Sequence, residues 1–196
     1  MLYVLVVLIC GVILSIVNCL FFLNYLNLLW WQVVLVVFAF VIAEFAIDGL
    51  FAFIVNKLPK KIFNKNSKIF KIYKWERRFY EKIGIKKWKD HIPELGKLGN
   101  FSKSKLENPN DNTYVDRFIK ECVIGEVVHV CGIIFGFTVL FYFRFALTIG
   151  LPVAIINIFL NIPSIMILRY NRPKLEVILE MNRRLAERKK QKIIND

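Results

Sequence analysis

Two carboxylates and one imidazole lie close together in the segment E-C-V-I-G-E-V-V-H, which runs from Glu121 to His129. In a helix, Glu126 and His129 share a face because they are three residues apart, and Glu121 lies about 80° from His129. The segment opens a strongly apolar run, where ionisable residues are costly to bury and are functional candidates by default. We therefore predict that these three residues form the chemical centre of a membrane enzyme.

Several kinds of chemistry fit these residue types. His129 can act as a general base that is oriented by Glu126 or Glu121 and activates a hydroxyl for attack on an acyl donor. Alternatively, the Glu-x-x-His pair, with Glu121 and Asp48, binds a divalent metal ion, as such pairs do in helical bundles. A third interpretation is a non-catalytic membrane protein that binds a lipid or a partner and holds a buried salt-bridge network. The first reaction, which requires no metal and no cofactor, is favoured by the lysine-rich segment that precedes the patch.

The composition indicates an all-α integral membrane protein. Of the 196 residues, 57% are hydrophobic and 18 are phenylalanine, whereas about 45–50% is usual for soluble domains. The formal net charge is +13, and the basic residues gather between the apolar runs and after the last one. This distribution is typical of the positive-inside bias of membrane proteins. No nucleic-acid-binding motif accompanies the charge, so we expect no nucleic-acid partner.

Four apolar runs are long enough to cross a bilayer, which requires about 20 residues. We predict two N-terminal spans within residues 1–55, a basic insertion at 56–117, two further spans within 118–168, and a basic tail at 169–196 that continues as a charged helix. The positive-inside rule places the N-terminus, the insertion and the C-terminus in the cytoplasm. The insertion is expected to contain an amphipathic helix near residues 69–80, which lies in the membrane interface, and a loop from 96 to 112.

Two of the spans carry paired polar residues at helical spacing. Glu44 and Asp48 are four residues apart in the second span, and so are Asn157 and Asn161 in the fourth. The carboxylate pair is consistent either with an interhelical polar clamp or with a part of the active site. At 1.5 Å per residue, Asp48 and His129 lie about 10–15 Å below the cytoplasmic surface, so polar groups are predicted to converge in that leaflet.

Three separated motifs extend this interpretation. They are W-E-R-R-F-Y … I-K-K-W-K-D at Trp75–Asp90, E-x4-E-x2-H at Glu121–His129, and I-N-I-F-L-N-I-P … R-Y-N-R-P-K-L at Ile156–Leu175. Their order and approximate spacing resemble those of the glycosyl-diaponeurosporenoate acyltransferases, which complete staphyloxanthin-type carotenoids. The resemblance implies a small membrane acyltransferase that moves a fatty acyl chain onto a sugar hydroxyl of a glycosylated lipid.

The resemblance places acyl transfer ahead of metal binding. The implied partners are a membrane lipid and an acyl donor, either acyl-CoA or acyl carrier protein. His129, Glu126 and Glu121 are then the predicted catalytic residues, with the arginines of the tail positioning donor phosphate or the acyl carbonyl. Residues from the insertion, the spans and the tail complete the predicted substrate-binding set: Asp48, Trp75, Trp88, Lys89, Asn161, Arg169, Asn171 and Arg172.

Overall fold

The computed structural model describes residues 2–64, 67–92 and 106–195, and every regular element in these ranges is helical. Four helical segments are long and apolar enough to cross a membrane: Val4–Leu26, Trp30–Lys57, Asn112–Phe141 and Ala146–Arg188. This confirms the predicted all-α class with four spans. The chain divides into two compact units, which are described separately: unit 1 is Met1–Lys57 with Val127–Ile165, and unit 2 is Leu58–Glu126 with Met166–Asp196.

Unit 1 begins with helix α1, Leu2–Val17, which continues through a π-helical turn, Asn18–Phe22, into the short helix α2, Leu23–Leu26. Asn27 ends α2 in the left-handed conformation with a φ of 48°. Arg144 donates a hydrogen bond to the carbonyl of Leu26, which satisfies a backbone group at the end of the helix. Helix α3, Trp30–Lys57, follows after three residues.

The spans of unit 1 bury one apolar cluster and leave most of their large aliphatic side chains exposed. The cluster is centred on Val33, Val37 and Phe40 of α3. The outer surface of α1 is almost wholly aliphatic. Such a surface is unfavourable in water and suits the hydrocarbon region of a bilayer.

Unit 2 contains the insertion, in which helix α4, Lys74–Lys82, is followed by helix α5, Ile85–Trp88. Gly84 separates them with a φ of +68°, a conformation that favours glycine. The predicted amphipathic helix near 69–80 is thus present at Lys74–Lys82, after a 3-10 turn at Lys68–Phe70. Most of the predicted loop from 96 to 112 lies outside the described residues.

Helix α6, Asn112–Gly136, begins six residues before the predicted start of the third span at 118, and a 3-10 turn, Phe137–Phe141, extends it. A π-helical turn, Ala146–Gly150, then leads into helix α7, Leu151–Asn195. The fourth span and the tail are therefore one continuous helix of 45 residues. Pro152 lies in its first turn, where a missing N–H has little consequence, whereas Pro163 and Pro173 lie in its interior.

Two apolar clusters support the residues of unit 2. The first packs Phe118, Ile119 and Cys122 of α6 against Leu168, Leu175 and Leu179 of α7. The second packs Tyr80 and Ile85 against Tyr170, with Trp88 beside them. These contacts fix the α7 segment that carries the tail arginines relative to α4 and α6 of the same unit.

Candidate active site

A chain of hydrogen-bonded polar side chains runs through unit 1. His129 Nδ1 lies 2.7 Å from Asn161 Oδ1, and Asn161 Nδ2 donates to Asn157 Oδ1 at 2.6 Å. Asn157 Nδ2 in turn donates to Glu44 Oε2 at 2.9 Å. A side branch runs from Asn161 Nδ2 to Asp48 Oδ2 at 3.4 Å. We call these five residues, Glu44, Asp48, His129, Asn157 and Asn161, the polar ladder.

The donors and acceptors of the ladder are arranged in one direction, and this arrangement determines that Nδ1 of His129 carries a proton. Asn161 uses its amide N–H groups on Asn157 and Asp48, so its carbonyl oxygen faces His129. A carbonyl oxygen only accepts hydrogen bonds, so His129 Nδ1 carries a proton. In the neutral ring the lone pair then lies on Nε2, which is the arrangement a general base needs.

The glycines Gly132 and Gly136 of α6 make room for the ladder. A Cβ atom at Gly136 would lie 2.5 Å from Asn157 Nδ2 and 2.7 Å from Glu44 Oε2. A Cβ atom at Gly132 would collide with Oδ1 of Asp48, and the Gly132 carbonyl accepts from Asn157 Nδ2 at 3.2 Å. The small-xxx-small spacing therefore admits polar side chains from α3 and α7, in addition to the close helix approach that it usually permits.

Unit 2 holds a second cluster, in which two arginines of α7 pair with two glutamates. Arg169 forms a bidentate pair with Glu76 through Nε at 2.7 Å and Nη2 at 2.9 Å. Its Nη1 also donates to Glu126. Arg172 donates to the other oxygen of Glu126 at 3.1 Å. We call Glu76, Glu126, Arg169 and Arg172 the arginine clamp. Its four charges sum to zero.

The arginines of the clamp also donate hydrogen bonds to the extended segment that precedes α4. Arg169 Nη2 donates to the carbonyl of Lys71 at 3.0 Å, and Arg172 donates to the carbonyl of Phe70. Arg172 is only 2% exposed, so its charge depends on these acceptors. The two arginines therefore hold α4, α6 and α7 of unit 2 in register.

The electrostatics of Glu76 follow from this pairing. Burial alone would raise the pKa of its carboxyl. The hydrogen bonds from Arg169 and from the backbone N–H of Tyr73, with the arginine charge, outweigh burial and lower the pKa below its ordinary value of 4.5. Burial, and then the charge of Glu76, raise the pKa of the Tyr80 phenol. The phenol therefore remains protonated at neutral pH and donates to Glu76 at 3.2 Å.

An open cleft of about 480 Å³ borders the clamp in unit 2. Phe70, Lys71 and Ile72 line it on one side, and α7 lines it on the other. The α7 side includes Arg172 and Arg183 together with Glu176 and Glu180. The volume of the cleft falls within the range of small-molecule sites. Its basic side chains can bind an anionic group, while its two carboxylates can accept hydrogen bonds from a ligand.

The predicted site residues are distributed between the two clusters. His129, Asn161 and Asp48 are joined in the polar ladder, and Glu126, Arg169 and Arg172 are joined in the arginine clamp. The contact that orients His129 Nδ1 is the Asn161 amide, which in turn bonds Asp48. Glu126 is engaged by arginines.

The remaining predicted residues lie in unit 2. Glu121 is 3.6 Å from Lys60, and Lys89 is 3.0 Å from Asp90. Trp88 packs beside Tyr80 and its indole N–H donates to the carbonyl of Ile83 at 3.2 Å. Trp75 is exposed on α4, and Asn171 is half-buried on α7.

Sequence reasoning missed the role of Glu76 and the link between Glu44 and Asn157. The sequence did contain a signal for Glu76, because it is an acidic residue in a strongly basic stretch and lies four residues before Tyr80.

The sequence also contained a signal for the polar ladder. Three helices carry pairs at i, i+4 spacing, at 44/48, 132/136 and 157/161. Matching spacing on three helices is what a shared polar layer requires.

The fold defines a multi-pass α-helical membrane protein with polar residues buried in its helices. Residues 66–181 match the family described as glycosyl-4,4'-diaponeurosporenoate acyltransferase. The chain is also 29% identical, over 142 residues, to the protein of that name from Staphylococcus aureus (strain MRSA252), covering 68% of this chain and 81% of that protein. No solved structure matches the chain.

The chain belongs to the glycosyl-4,4'-diaponeurosporenoate acyltransferase family, because the family match covers more than half of its residues. It is accordingly an acyltransferase. The resemblance inferred from the three sequence motifs is confirmed, and so is the enzyme class. The match from 66 to 181 includes the arginine clamp together with His129, Asn157 and Asn161, whereas Glu44 and Asp48 lie before it.

Proposed function

We propose that this protein transfers a fatty acyl chain from a thioester donor to a sugar hydroxyl of a glycosylated lipid, with a glycosylated carotenoid as the first acceptor to test. Family membership supports acyl transfer, and the name of the Staphylococcus aureus relative supports a carotenoid-linked acceptor. The observation that carries the mechanism is the hydrogen bond from His129 Nδ1 to Asn161, since it leaves the lone pair of the neutral ring on Nε2.

In the proposed reaction His129 Nε2 removes the proton from the acceptor hydroxyl while the oxygen attacks the acyl carbonyl carbon. A new C–O ester bond forms, and the bond between the carbonyl carbon and the donor sulfur breaks. The proton then passes from the imidazolium to the departing thiolate, so the protein returns to its starting state. The ladder stabilises the imidazolium through the amide of Asn161 and the carboxyl of Asp48.

The cleft in unit 2 is the proposed binding site for the polar part of the donor. Acyl-CoA and the phosphopantetheine arm of acyl carrier protein both carry phosphate, which guanidinium and ammonium groups recognise. Lys71 and Arg183 line the cleft and are the groups we assign to the phosphate, whereas Glu176 and Glu180 of the same lining accept hydrogen bonds from other donor groups. Arg172 also lines it, but it already donates to Glu126 and Phe70, so we assign it the role of supporting the cleft wall.

We further propose that the cleft and the basic insertion face the cytoplasm. The positive-inside bias supports this orientation, because lysine and arginine are concentrated in the insertion and the tail. It also gives the protein access to thioester donors, which are made in the cytoplasm. Selective labelling of an introduced cysteine at the exposed Lys82 in intact cells tests the orientation. A membrane-impermeant maleimide that labels this position before the cells are opened would contradict it.

The activity itself is tested with the purified chain in lipid nanodiscs, supplied with palmitoyl-CoA and a glycosylated carotenoid. The expected product is the acceptor with its mass increased by one palmitoyl ester, together with an equal amount of free CoA. Hydrolysis of palmitoyl-CoA without an acylated acceptor would argue against acyl transfer to this class of lipid. Replacing the acceptor with its aglycone separates sugar acylation from acylation of the polyene.

The metal alternative rests on the Glu-x-x-His spacing of Glu126 and His129. Within the described ranges no three His, Cys, Asp or Glu side chains are grouped as metal ligands would be, and the carboxylate of Glu126 pairs with Arg169 and Arg172. These contacts favour the base mechanism. Stoichiometric zinc or iron in the purified protein would favour the metal-dependent mechanism over the base mechanism.

A further inference from the structure

The tail portion of α7 presents an exposed apolar stripe. Val177, Met181 and Leu185 recur every four residues, so they share one side of the helix. Their exposed fractions are 58%, 57% and 53%, whereas Leu175 and Leu179 of the same helix are buried in the cluster with α6. Regularly spaced apolar side chains at more than half exposure are unfavourable in water and mark an interaction surface.

Basic residues lie among these apolar side chains. At about 100° per residue, Lys174, Arg184 and Arg188 are on the same side of α7 as the stripe, and all three are exposed. Arg184 reaches Glu180 at 2.9 Å, but such an exposed pair contributes little and opens readily for another carboxylate. The acidic residues of this segment are centred about 110° away around the helix: Glu176, Glu180 and Glu187. We call the basic and apolar side the tail face, which comprises Lys174, Val177, Met181, Arg184, Leu185 and Arg188.

The bilayer is too far along the helix to cover the tail face. A crossing takes about 20 residues, so the span that begins at Ala146 ends near Met166. Helix α7 continues without a break, and at 1.5 Å per residue Val177 and Leu185 lie about 15–30 Å farther along its axis. The headgroup region is only about 5–8 Å thick on each side of the hydrocarbon.

A second copy of the chain is disfavoured by charge. Pairing of two tail faces would bring Lys174, Arg184 and Arg188 of one copy against the same cations of the other, in either orientation, and like charges repel. An apolar stripe bordered by cations instead complements a protein surface that carries carboxylates beside apolar side chains. The tail face therefore selects an acidic protein as its partner.

We propose that the tail face docks acyl carrier protein and that this protein is the acyl donor. Acyl carrier protein is acidic and holds its acyl chain as a thioester on a phosphopantetheine arm, whereas coenzyme A has no protein surface to dock. The inference rests on the proposed transfer from a thioester and names the donor. The cleft lies on the same turns of α7, where Glu180 and Arg183 line it. Because a helix is about 10–12 Å across, the arm reaches the cleft by passing around one side of α7.

The test is binding of a purified bacterial apo-acyl carrier protein to the full chain in nanodiscs, measured by biolayer interferometry. The apo form lacks the phosphopantetheine arm, so its binding reports on the protein surface and is independent of the cleft. We expect saturable binding that weakens at least about tenfold between about 0.05 and 0.5 M salt, because salt screens surface charges. No binding at low salt would overturn the proposal.

Two matched double variants locate the surface. Arg184→Glu with Arg188→Glu reverses two charges of the tail face and should weaken binding at least about tenfold. Arg77→Glu with Arg78→Glu reverses two exposed charges of α4 and should leave the affinity within about twofold. Met181→Asp puts a carboxylate into the apolar stripe and should weaken binding as the first variant does. Equal affinities in the two double variants would overturn the assignment to the tail face.

A labelled position tests the other two occupants. In a chain whose four native cysteines are replaced by alanine, Leu185→Cys carries an environment-sensitive dye in the nanodisc. The dye is expected to change its emission when apo-acyl carrier protein is added. Quenching by brominated lipid would show that the bilayer covers the tail face. Cross-linking of two unlabelled chains through the same cysteine would show that a second copy covers it. Either of these results would overturn the proposal.

The outcomes separate this inference from the proposed function. If palmitoyl-CoA supports acyl transfer but the wild-type protein binds no carrier protein, the docking inference fails and the proposed function stands. If the tail-face variants lose carrier binding but neither palmitoyl-CoA nor palmitoyl-acyl carrier protein yields an acylated lipid, the docking surface stands and the proposed reaction fails.

The two donors also give a kinetic test of the docking surface. In Arg184→Glu with Arg188→Glu, transfer from palmitoyl-acyl carrier protein should fall at least about tenfold at low donor concentration, because docking is weakened. Transfer from palmitoyl-CoA should stay within about twofold, since these arginines do not line the cleft. Equal losses with both donors would contradict a docking role. An unchanged Tm shows that the variant is folded.

Discussion

Replacement of Glu126 by glutamine tests whether this residue is structural, as the arginine clamp indicates. The two carboxylate oxygens accept from Arg169 and Arg172. Glutamine keeps one acceptor oxygen and presents an NH2 group to the other arginine, which leaves the clamp with a net positive charge. Arg172 is 2% exposed, so water cannot easily replace the lost partner.

Breaking one partner of a buried ion pair costs about 3–5 kcal/mol. For a chain of 150–250 residues, each kcal/mol lowers Tm by about 2–4 °C, so Glu126→Gln should lower Tm by about 6–20 °C. The assay heats the protein in detergent with a thiol-reactive maleimide dye and follows the labelling of the buried Cys122, which becomes accessible when the protein unfolds. Cys122 is 2% exposed and lies in unit 2, so its labelling reports on this unit once the other free cysteines, Cys10, Cys19 and Cys131, have been replaced by alanine.

Glu81→Gln is the matched control for this prediction. Glu81 pairs with Arg77 at 3.4 Å, but both side chains are largely exposed. Such a pair contributes about 0.3–0.5 kcal/mol, so the control should lower Tm by about 2 °C at most. An equally small change in Glu126→Gln would refute the structural role. A loss of activity at unchanged Tm would instead support the catalytic role that the sequence suggested.

Three further predictions follow from the same contacts. Gly136→Ala places a methyl group against Asn157 and should reduce the rate of acyl transfer at least about tenfold. In the control Gly49→Ala the new Cβ has nothing within 4 Å, so the rate should stay within twofold of the wild type. Equal rates in the two variants would contradict the role of Gly136. The pKa of Glu76 is lowered below 4.5 in the folded protein, so its stabilisation is present above that pH and is lost as the pH falls through the folded value. Glu76→Gln should therefore flatten the acid side of the Tm–pH curve, and a parallel curve would disagree. Tyr80→Phe removes one buried hydrogen bond to Glu76 and should destabilise unit 2 by about 1 kcal/mol in the same dye assay; a stabilised variant would contradict that bond.

Much of the fold could be predicted from the sequence because it depends on local physical requirements. Apolar length alone predicts the four spans, since a bilayer requires about 20 apolar residues in a helix. Period and charge also predict the amphipathic helix of the insertion, found at Lys74–Lys82. The end of the fourth span was harder to place. Pro163 and Pro173 suggest interruptions of the helix, yet α7 is continuous from Leu151 to Asn195. Packing of Leu168 and Leu175 against other apolar side chains of unit 2 stabilises the helix in this region.

The residues of the candidate site were predicted better than their pairing. His129, Asp48 and Asn161 were identified as polar groups at similar depth, and all three are in the ladder. Their partners depend on helix rotation and packing, which a single sequence does not determine. Arg169 was predicted to position the substrate, which stays a prediction, and its bond to Glu76 from a distant segment was not foreseen.

The central claim is that His129 is the general base and that Asn161 fixes its tautomer. The most direct measurement is the initial rate of acyl transfer by purified His129→Ala in nanodiscs at saturating donor and acceptor. The account predicts a decrease of about 10²–10⁴-fold with Tm unchanged within a few degrees. Wild-type activity in the folded His129→Ala protein would contradict the account.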